Sequence, residues 1–177
     1  LAFHPKRHAT VIRIRTGATR DGQLTAVEAT LYGHGGAYAS LSEKVLTRAT
    51  THASGPYHVP HVKVDCFAAY TNNAPCGAFR GFGVSQSCFA VESNMDILAE
   101  QLGLDAVEFR RRNALDVGLV TATGQIMRES VGLNECIKRV DEDMRADDFR
   151  WSWREGHRHF AWGFAIAYKN TGLGGGA

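Results

Sequence analysis

Several things are missing from this sequence, and each absence removes a class of protein. No apolar run approaches the roughly 20 residues that span a bilayer, so no candidate membrane-spanning helix exists. No basic-then-apolar segment of the secretory kind opens the sequence. Neither sign of charge prevails: 20 Lys and Arg face 18 Asp and Glu, for a net charge of +2. A general nucleic-acid binder needs a clear basic excess to release counterions, so that class is disfavoured. The four cysteines (Cys66, Cys76, Cys88 and Cys136) include no C-x-x-C pair. Their spacing fits no common zinc or iron–sulfur pattern. They read as partly buried thiols of a reduced, cytoplasmic protein rather than a disulfide framework. No internal repeat is visible, and low complexity is confined to the terminal glycine run.

What remains is an ordinary globular composition, 44% hydrophobic and 21% charged over 177 residues. That length fits one domain or a short pair of subdomains and suffices to bury a core. The first residue is Leu1, and the sequence stops at Ala177 within a glycine run. Both ends are read as cuts through a longer polypeptide, an expectation that bears on function because a fragment can lack its own chemistry.

Residue patterning points to α+β: antiparallel strands and a hairpin, followed by packed helices and a late strand. Val11-Ile12-Arg13-Ile14-Arg15 alternates β-branched and basic residues, the mark of a strand. Asp21-Gly22 is a turn signal, and residues 24–32 resume strand character, so the pair reads as a hairpin. Gly33-His34-Gly35-Gly36 breaks that pattern. A short helix or loop is expected over residues 42–52, and a strand over 62–70 with Val62, Val64 and Cys66 on one face. Val91, Met95, Leu98 and Leu102 then recur at helical spacing, with Gly103 as C-cap. Asp105 is an N-cap candidate with Glu108 three residues on. Leu133, Ile137, Val140 and Met144 predict another helix over about residues 130–145. The aromatic-rich residues 160–168 read as a last strand. The expected division is 1–85 mainly β, 86–145 mainly α, and 146–177 a late strand with a glycine-rich turn.

The most informative segment is residues 71–83, between a predicted strand and a predicted helix. A loop there ends at a helix N-terminus, where free N–H groups and the helix dipole favour anions or electron-rich oxygens. Gly77, Gly81 and Gly83 let the backbone approach a ligand. Arg80 offers a planar donor fork, and Phe79 and Phe82 offer flat apolar surface. The same residue types also suit a glycine-rich turn with two core phenylalanines and a surface arginine. The spacing is neither a Rossmann fingerprint nor a Walker loop.

Gly77-Ala78-Phe79-Arg80-Gly81-Phe82-Gly83 resembles the A-F-R-G-F-G loop of the large, molybdopterin-binding subunit of the xanthine dehydrogenase/aldehyde oxidase family. Thr71-Asn72, Glu92 with Met95, the Glu108–Asn113 run, His4-Pro5 and Gly35-Gly36-Ala37-Tyr38 are similar to that family's pattern too. The resemblance covers essentially the whole chain. It implies a molybdenum–molybdopterin cofactor, held in part by Gly77, Ala78, Phe79 and Arg80. It implies iron–sulfur clusters, and in some members FAD, on other domains or subunits. Purine-hydroxylating members use the loop arginine and second phenylalanine toward substrate; Arg80 and Phe82 match them. Those members carry a second substrate arginine at a fixed distance before the loop, and the matching position here is Arg48. The implied reaction is hydroxylation of an electron-poor carbon, with water as oxygen source. Arg48 and Arg80 would stabilise negative charge developing on the heterocycle in a dry pocket.

The match has departures. A second aromatic clamp of purine hydroxylases aligns with Gly175. The family's catalytic glutamate falls in a later segment and has no counterpart here, so no catalytic residue is assigned, and the isolated segment is expected to be inactive. The expected substrate of the parent enzyme is a purine-like or other aromatic N-heterocycle. An aldehyde oxidoreductase, or a non-catalytic structural module, is the alternative.

Other candidates read as structural. His58-Val59-Pro60-His61 looks like a metal pair, but Pro60 breaks the helix that would align it. Glu92 and Asp96 fit a solvated helix face, and Arg110-Arg111-Arg112 fits a helix-end charge cluster. Trp151, Trp153 and Trp162, with His157 and His159, are expected at a subdomain edge.

Overall fold

The structure, a computed structural model, describes residues 4–146 and 149–170. β1 (Thr10–Ala18) and β2 (Leu24–Gly36) form the expected antiparallel hairpin. Gly22 turns it at φ +84°, a backbone conformation that costs glycine nothing. Alternation places Val27, Ala29 and Leu31 on the buried face of β2 and Glu28 and Tyr32 on the open one; Leu24 is also buried, beyond a register shift opposite Gly17 and Ala18.

β2 does not stop at its glycines; it runs through Gly36. The four-residue run was expected to break the strand, but the glycines clear space instead. A Cβ on Gly33 would collide with Leu46, and one on Gly36 would meet Pro75 Cα at 2.6 Å. The first clearance seats a helix on the strand, and the second lets the site loop cross it.

That helix, α1 (Ser42–Thr51), resolves the helix-or-loop alternative. It crosses over to β3 (His61–Tyr70), which pairs with β2 in parallel, giving sheet order β1-β2-β3. Antiparallel strands were expected throughout. The parallel pair follows from α1, because a crossover helix returns the chain in the same direction. Val62, Val64 and Cys66 share the half-buried face, as their spacing required.

α2 (Val84–Leu102) buries Val91, Met95 and Ala99 and ends at Gly103 in the left-handed conformation. α3 (Ala106–Asn113) starts at Asp105, whose carboxylate accepts the Val107 and Glu108 N–H bonds at 3.0 and 3.1 Å. Glu108 does not close a capping box; it pairs with Arg111 and Arg112. α4 (Leu133–Met144) buries Ile137, while Val140 faces outward.

The last strand is displaced from its expected place. β4 (Ser152–Glu155) and β5 (Arg158–Ala161) form a small separate hairpin, with Trp153 stacked on Phe160. Residues 162–170 lie outside any strand. Phe164 and Ile166 are nevertheless buried, so this stretch packs as an extended strap across α2. Trp151 rests against the main core and Trp162 is half exposed.

Two polar devices lock the layers. The Asn113 amide donates to the Gly22 and Phe109 carbonyls and accepts the Leu24 N–H, each at 2.8 Å, tying α3 to the hairpin turn. Glu92 and Arg110 form a buried pair, Nε to Oε2 at 2.8 Å, with Arg110 wholly shielded from solvent. Glu92 also accepts from Tyr57 Oη at 2.6 Å and from the Ile166 N–H at 3.0 Å. Arg110 reaches Asp96, the Glu92 carbonyl and the Ala106 carbonyl as well. Neither Glu92 nor Arg110 belongs to a solvated cluster; each is buried because every polar atom it brings is paired.

Candidate active-site wall

The loop leaves β3, crosses the end of β2 and enters α2. Its first half is stitched by backbone: Thr71 N–H to Gly36, Ala37 N–H to Asn73, Cys76 N–H to Gly35, and Gly77 N–H to Lys6. His34, inside the glycine run, anchors the same stretch. Its Nε2 accepts from Thr71 Oγ1 at 2.7 Å and Asn73 Nδ2 at 2.8 Å. Asn73 Nδ2 is a donor only, so the ring proton is assigned to Nδ1, which faces Cys76 Sγ at 3.5 Å. Burial raises the Cys76 thiol above its ordinary 9.0. Behind it, burial and then His34 hold His8 below the usual histidine value, and its Nε2 pairs with Ser42 Oγ at 2.8 Å.

The second half is where the chain turns hard. Gly81 and Gly83 sit at φ +95° and +94°, and Phe82 between them at +48°. A non-glycine residue with positive φ stores strain, and such strain gathers at functional sites. Phe82 N–H bonds to Phe79 O at 2.8 Å, and Val84 N–H to Gly81 O at 3.1 Å. A Cβ on Gly83 would overlap the Val45 carbonyl and lie 2.9 Å from the Ala49 nitrogen. The loop's exit is thus pressed onto the turn of α1 that carries Arg48.

Of the expected site residues, Gly77 is buried against Pro5 and Ser40. Ala78, Phe79 and Arg80 are exposed on the loop's outer side, and Phe82 is half-buried. Arg48 lies half-buried in the last turn of α1. Arg7, which the sequence did not single out, braces the loop: its Nη2 donates to the Arg80 carbonyl at 2.6 Å. Its guanidinium lies 4.7 Å from the Phe79 ring centre. Nothing in its local sequence marks it, because its partners are more than 70 residues away. Gly175 lies outside the described residues.

Beside the loop, a groove of about 1010 Å³ runs from Arg7 and Ser85 along the free edge of β1 to Ile97. Among the described residues no cluster of three metal-ligating side chains occurs, and no helix is long and apolar enough to cross a membrane. His58 is half-buried before β3, and His61 is exposed at its start. The four cysteines are free.

A short mixed sheet, a crossover helix and an exposed strained loop at a helix start make up one wall of an α+β domain. The wall matches a known family: residues 1–114 match the molybdopterin cofactor-binding domain, and the chain belongs to that family. It is 49% identical over 137 residues to the nicotinate dehydrogenase large molybdopterin subunit of Eubacterium barkeri, covering 77% of this chain and 32% of the relative. Its structure resembles aldehyde oxidoreductase from Desulfovibrio gigas at a TM-score of 0.77 and 32% identity, covering 80% of this chain and 16% of that one. It also resembles quinoline 2-oxidoreductase from Pseudomonas putida 86 at a TM-score of 0.70 and 30% identity, covering 82% and 19%. The chain therefore spans about a third or less of the length of these relatives.

The loop's chemistry fits such a cofactor. Ala78 presents nothing larger than a methyl group at the exposed start of the turn, Gly77 before it is buried, and Arg7 fixes the Arg80 carbonyl in place. A flat cofactor can lie against that surface at contact distance.

Proposed function

We propose that this chain supplies one wall of the active site of a molybdenum hydroxylase whose substrate is an aromatic N-heterocycle. Gly77, Ala78, Phe79 and Arg80 form the surface toward the cofactor, which when bound supplies the two-electron oxidation. Arg48, Arg80 and Phe82 form the surface toward substrate. Phe82 holds the ring by stacking or edge contact. The two guanidinium groups oppose charge that develops on the ring, in a site that closure would keep dry. The observation that carries this reading is the contact of Gly83 with the backbone of Val45 and Ala49. It sets the α1 turn bearing Arg48 beside the loop bearing Arg80 and Phe82.

The 49% identity to a nicotinate dehydrogenase subunit supports a heterocycle, and a pyridine carboxylate suits two arginines as well as a purine does. The likeness to an aldehyde oxidoreductase favours the second reading, an aldehyde substrate. In either case iron–sulfur and flavin domains or subunits would carry electrons onward.

The deciding assay uses the full-length, cofactor-loaded enzyme against hypoxanthine, nicotinate and benzaldehyde. A heterocycle is expected to give the highest kcat/KM. Arg48→Met is then expected to lower that value by about 10²- to 10³-fold, the loss typical of one charge-stabilising donor. Preference for benzaldehyde would overturn the heterocycle reading, and an unchanged kcat/KM would remove Arg48 from the substrate surface.

A further inference from the structure

We propose that His52 is a positioning residue for Arg48: it clamps the α1 turn that carries this arginine to the strap of residues 162–170. The inference rests on the substrate role of Arg48 proposed above. His52 caps the C-terminus of α1 and is 5% exposed. Its Nδ1–H donates to the Arg48 carbonyl at 2.8 Å. Its Nε2 accepts the Asn170 N–H at 3.4 Å, and its ring lies on Tyr168 with centres 4.8 Å apart. One side chain therefore grips the backbone of two distant segments.

The chemistry calls for a neutral histidine. A helix end leaves its last carbonyls without partners inside the helix. Neutral imidazole offers a donor on one side and an acceptor on the other, on a rigid ring. The strap does not depend on His52 for its place, because Ile166 is bonded to Glu92 and is buried with Phe164. The strap is thus the fixed reference, and His52 transfers its position to the Arg48 turn. A displacement of about 1 Å at a substrate contact costs on the order of 10²-fold in rate, so such a clamp has something to control.

Protonation would undo the clamp. A second N–H at Nε2 would face the Asn170 N–H, donor against donor. The charged groups that act on the ring are Lys169 and Arg48, both positive, and the Tyr168 ring lies against it at a 35° tilt. Burial lowers the His52 pKa most; the bond to the Arg48 carbonyl works against it, and Lys169 and Arg48 lower it further, for a net value below 6.5. The ring is accordingly neutral at neutral pH.

The test uses the full-length, molybdenum-loaded enzyme with a heterocycle that does not titrate between pH 5 and 7.5. His52→Phe keeps a ring against Tyr168 and removes both hydrogen bonds. It is expected to lower kcat and kcat/KM together about tenfold with molybdenum content unchanged, and to add less than twofold on an Arg48→Met background. His52→Gln, whose amide keeps one donor and one acceptor, is expected to recover part of the loss. In the unsubstituted enzyme kcat is expected to fall as pH drops through the lowered His52 value, and His52→Gln is expected to lack that acid limb. If Arg48→Met impairs the enzyme while His52→Phe leaves kcat unchanged, the positioning role is wrong and the Arg48 role stands. Equal losses from His52→Phe on both backgrounds, or the same acid limb in His52→Gln, would also overturn it. If Arg48→Met has no effect, the substrate role of Arg48 fails, and the role of His52 with it.

Discussion

Single residues decide how closely the site wall is assembled. Gly83 combines a φ of +94° with van der Waals contact to the α1 backbone, so any side chain there is wrong twice. Gly83→Ala is expected to cost about 1–3 kcal/mol from backbone strain, with the collision added. In the full-length subunit it should lower both the melting temperature and the molybdenum bound per protomer. Normal metal content with normal melting would show that the contact is not needed. Arg110 is the second such position. Its removal leaves Glu92 as a buried charge with two remaining donors, Tyr57 and Ile166. Arg110→Met is expected to destabilise by roughly 3–5 kcal/mol, whereas Arg139→Ala on the exposed side of α4 should stay within about 0.5 kcal/mol. Denaturant midpoints of the full-length protein compare the two, and similar values would contradict the buried-network account.

At the scale of elements, local chemistry was legible and long-range chemistry was not. The β1–β2 hairpin, the apolar stripe of α2, the Gly103 C-cap and the Asp105 N-cap all depend on neighbours a few residues apart, so the sequence displays them. The parallel pairing of β3 depends on where α1 docks, which Gly33 and Leu46 decide across a distance the pattern does not encode. Glu92 and Arg110 read as surface charges because burial of a charge shows only when its partners are in view. The strap missed its strand because apolar content predicts burial without saying what supplies the backbone bonds. Of the candidate site, the loop and Arg48 were visible through motif and spacing, while Arg7, His34 and His52 were not. The α3 cap yields a sharp test. Burial raises the Asp105 carboxyl, but bonds from Arg145 and from the Glu108 and Val107 N–H groups outweigh it, for a net value below 3.8. A carboxyl lowered by folding stabilises the protein above its unfolded value, and this contribution is lost as pH falls through the folded value. Asp105→Ala is expected to cost about 1 kcal/mol at pH 7, and Asp105→Asn less, since asparagine also caps well. The penalty for Asp105→Asn should shrink below pH 4 in urea titrations. A penalty that grows there would reverse the sign argued here.

At the scale of the whole molecule, much apolar surface is uncovered. Tyr38 and Tyr70 are each 73% exposed and Phe89 is 77% exposed, and Tyr32 stacks on Phe67 across the open face of the sheet. Large exposed apolar patches mark interaction faces or aggregation liabilities. The chain expressed alone is expected to bind a hydrophobic dye and to associate as its concentration rises, while the full-length subunit does neither. A monodisperse, dye-silent fragment would show that these faces are self-sufficient. The Asn113 amide has a last consequence, which concerns time. It joins Leu24 to a residue 89 positions later. A ribosome adding about 5–20 residues per second needs roughly 4–18 seconds to deliver that residue. Through that interval the hairpin has emerged without the group that closes its turn, and it waits on synthesis as a nascent chain, within reach of whatever holds unfinished proteins.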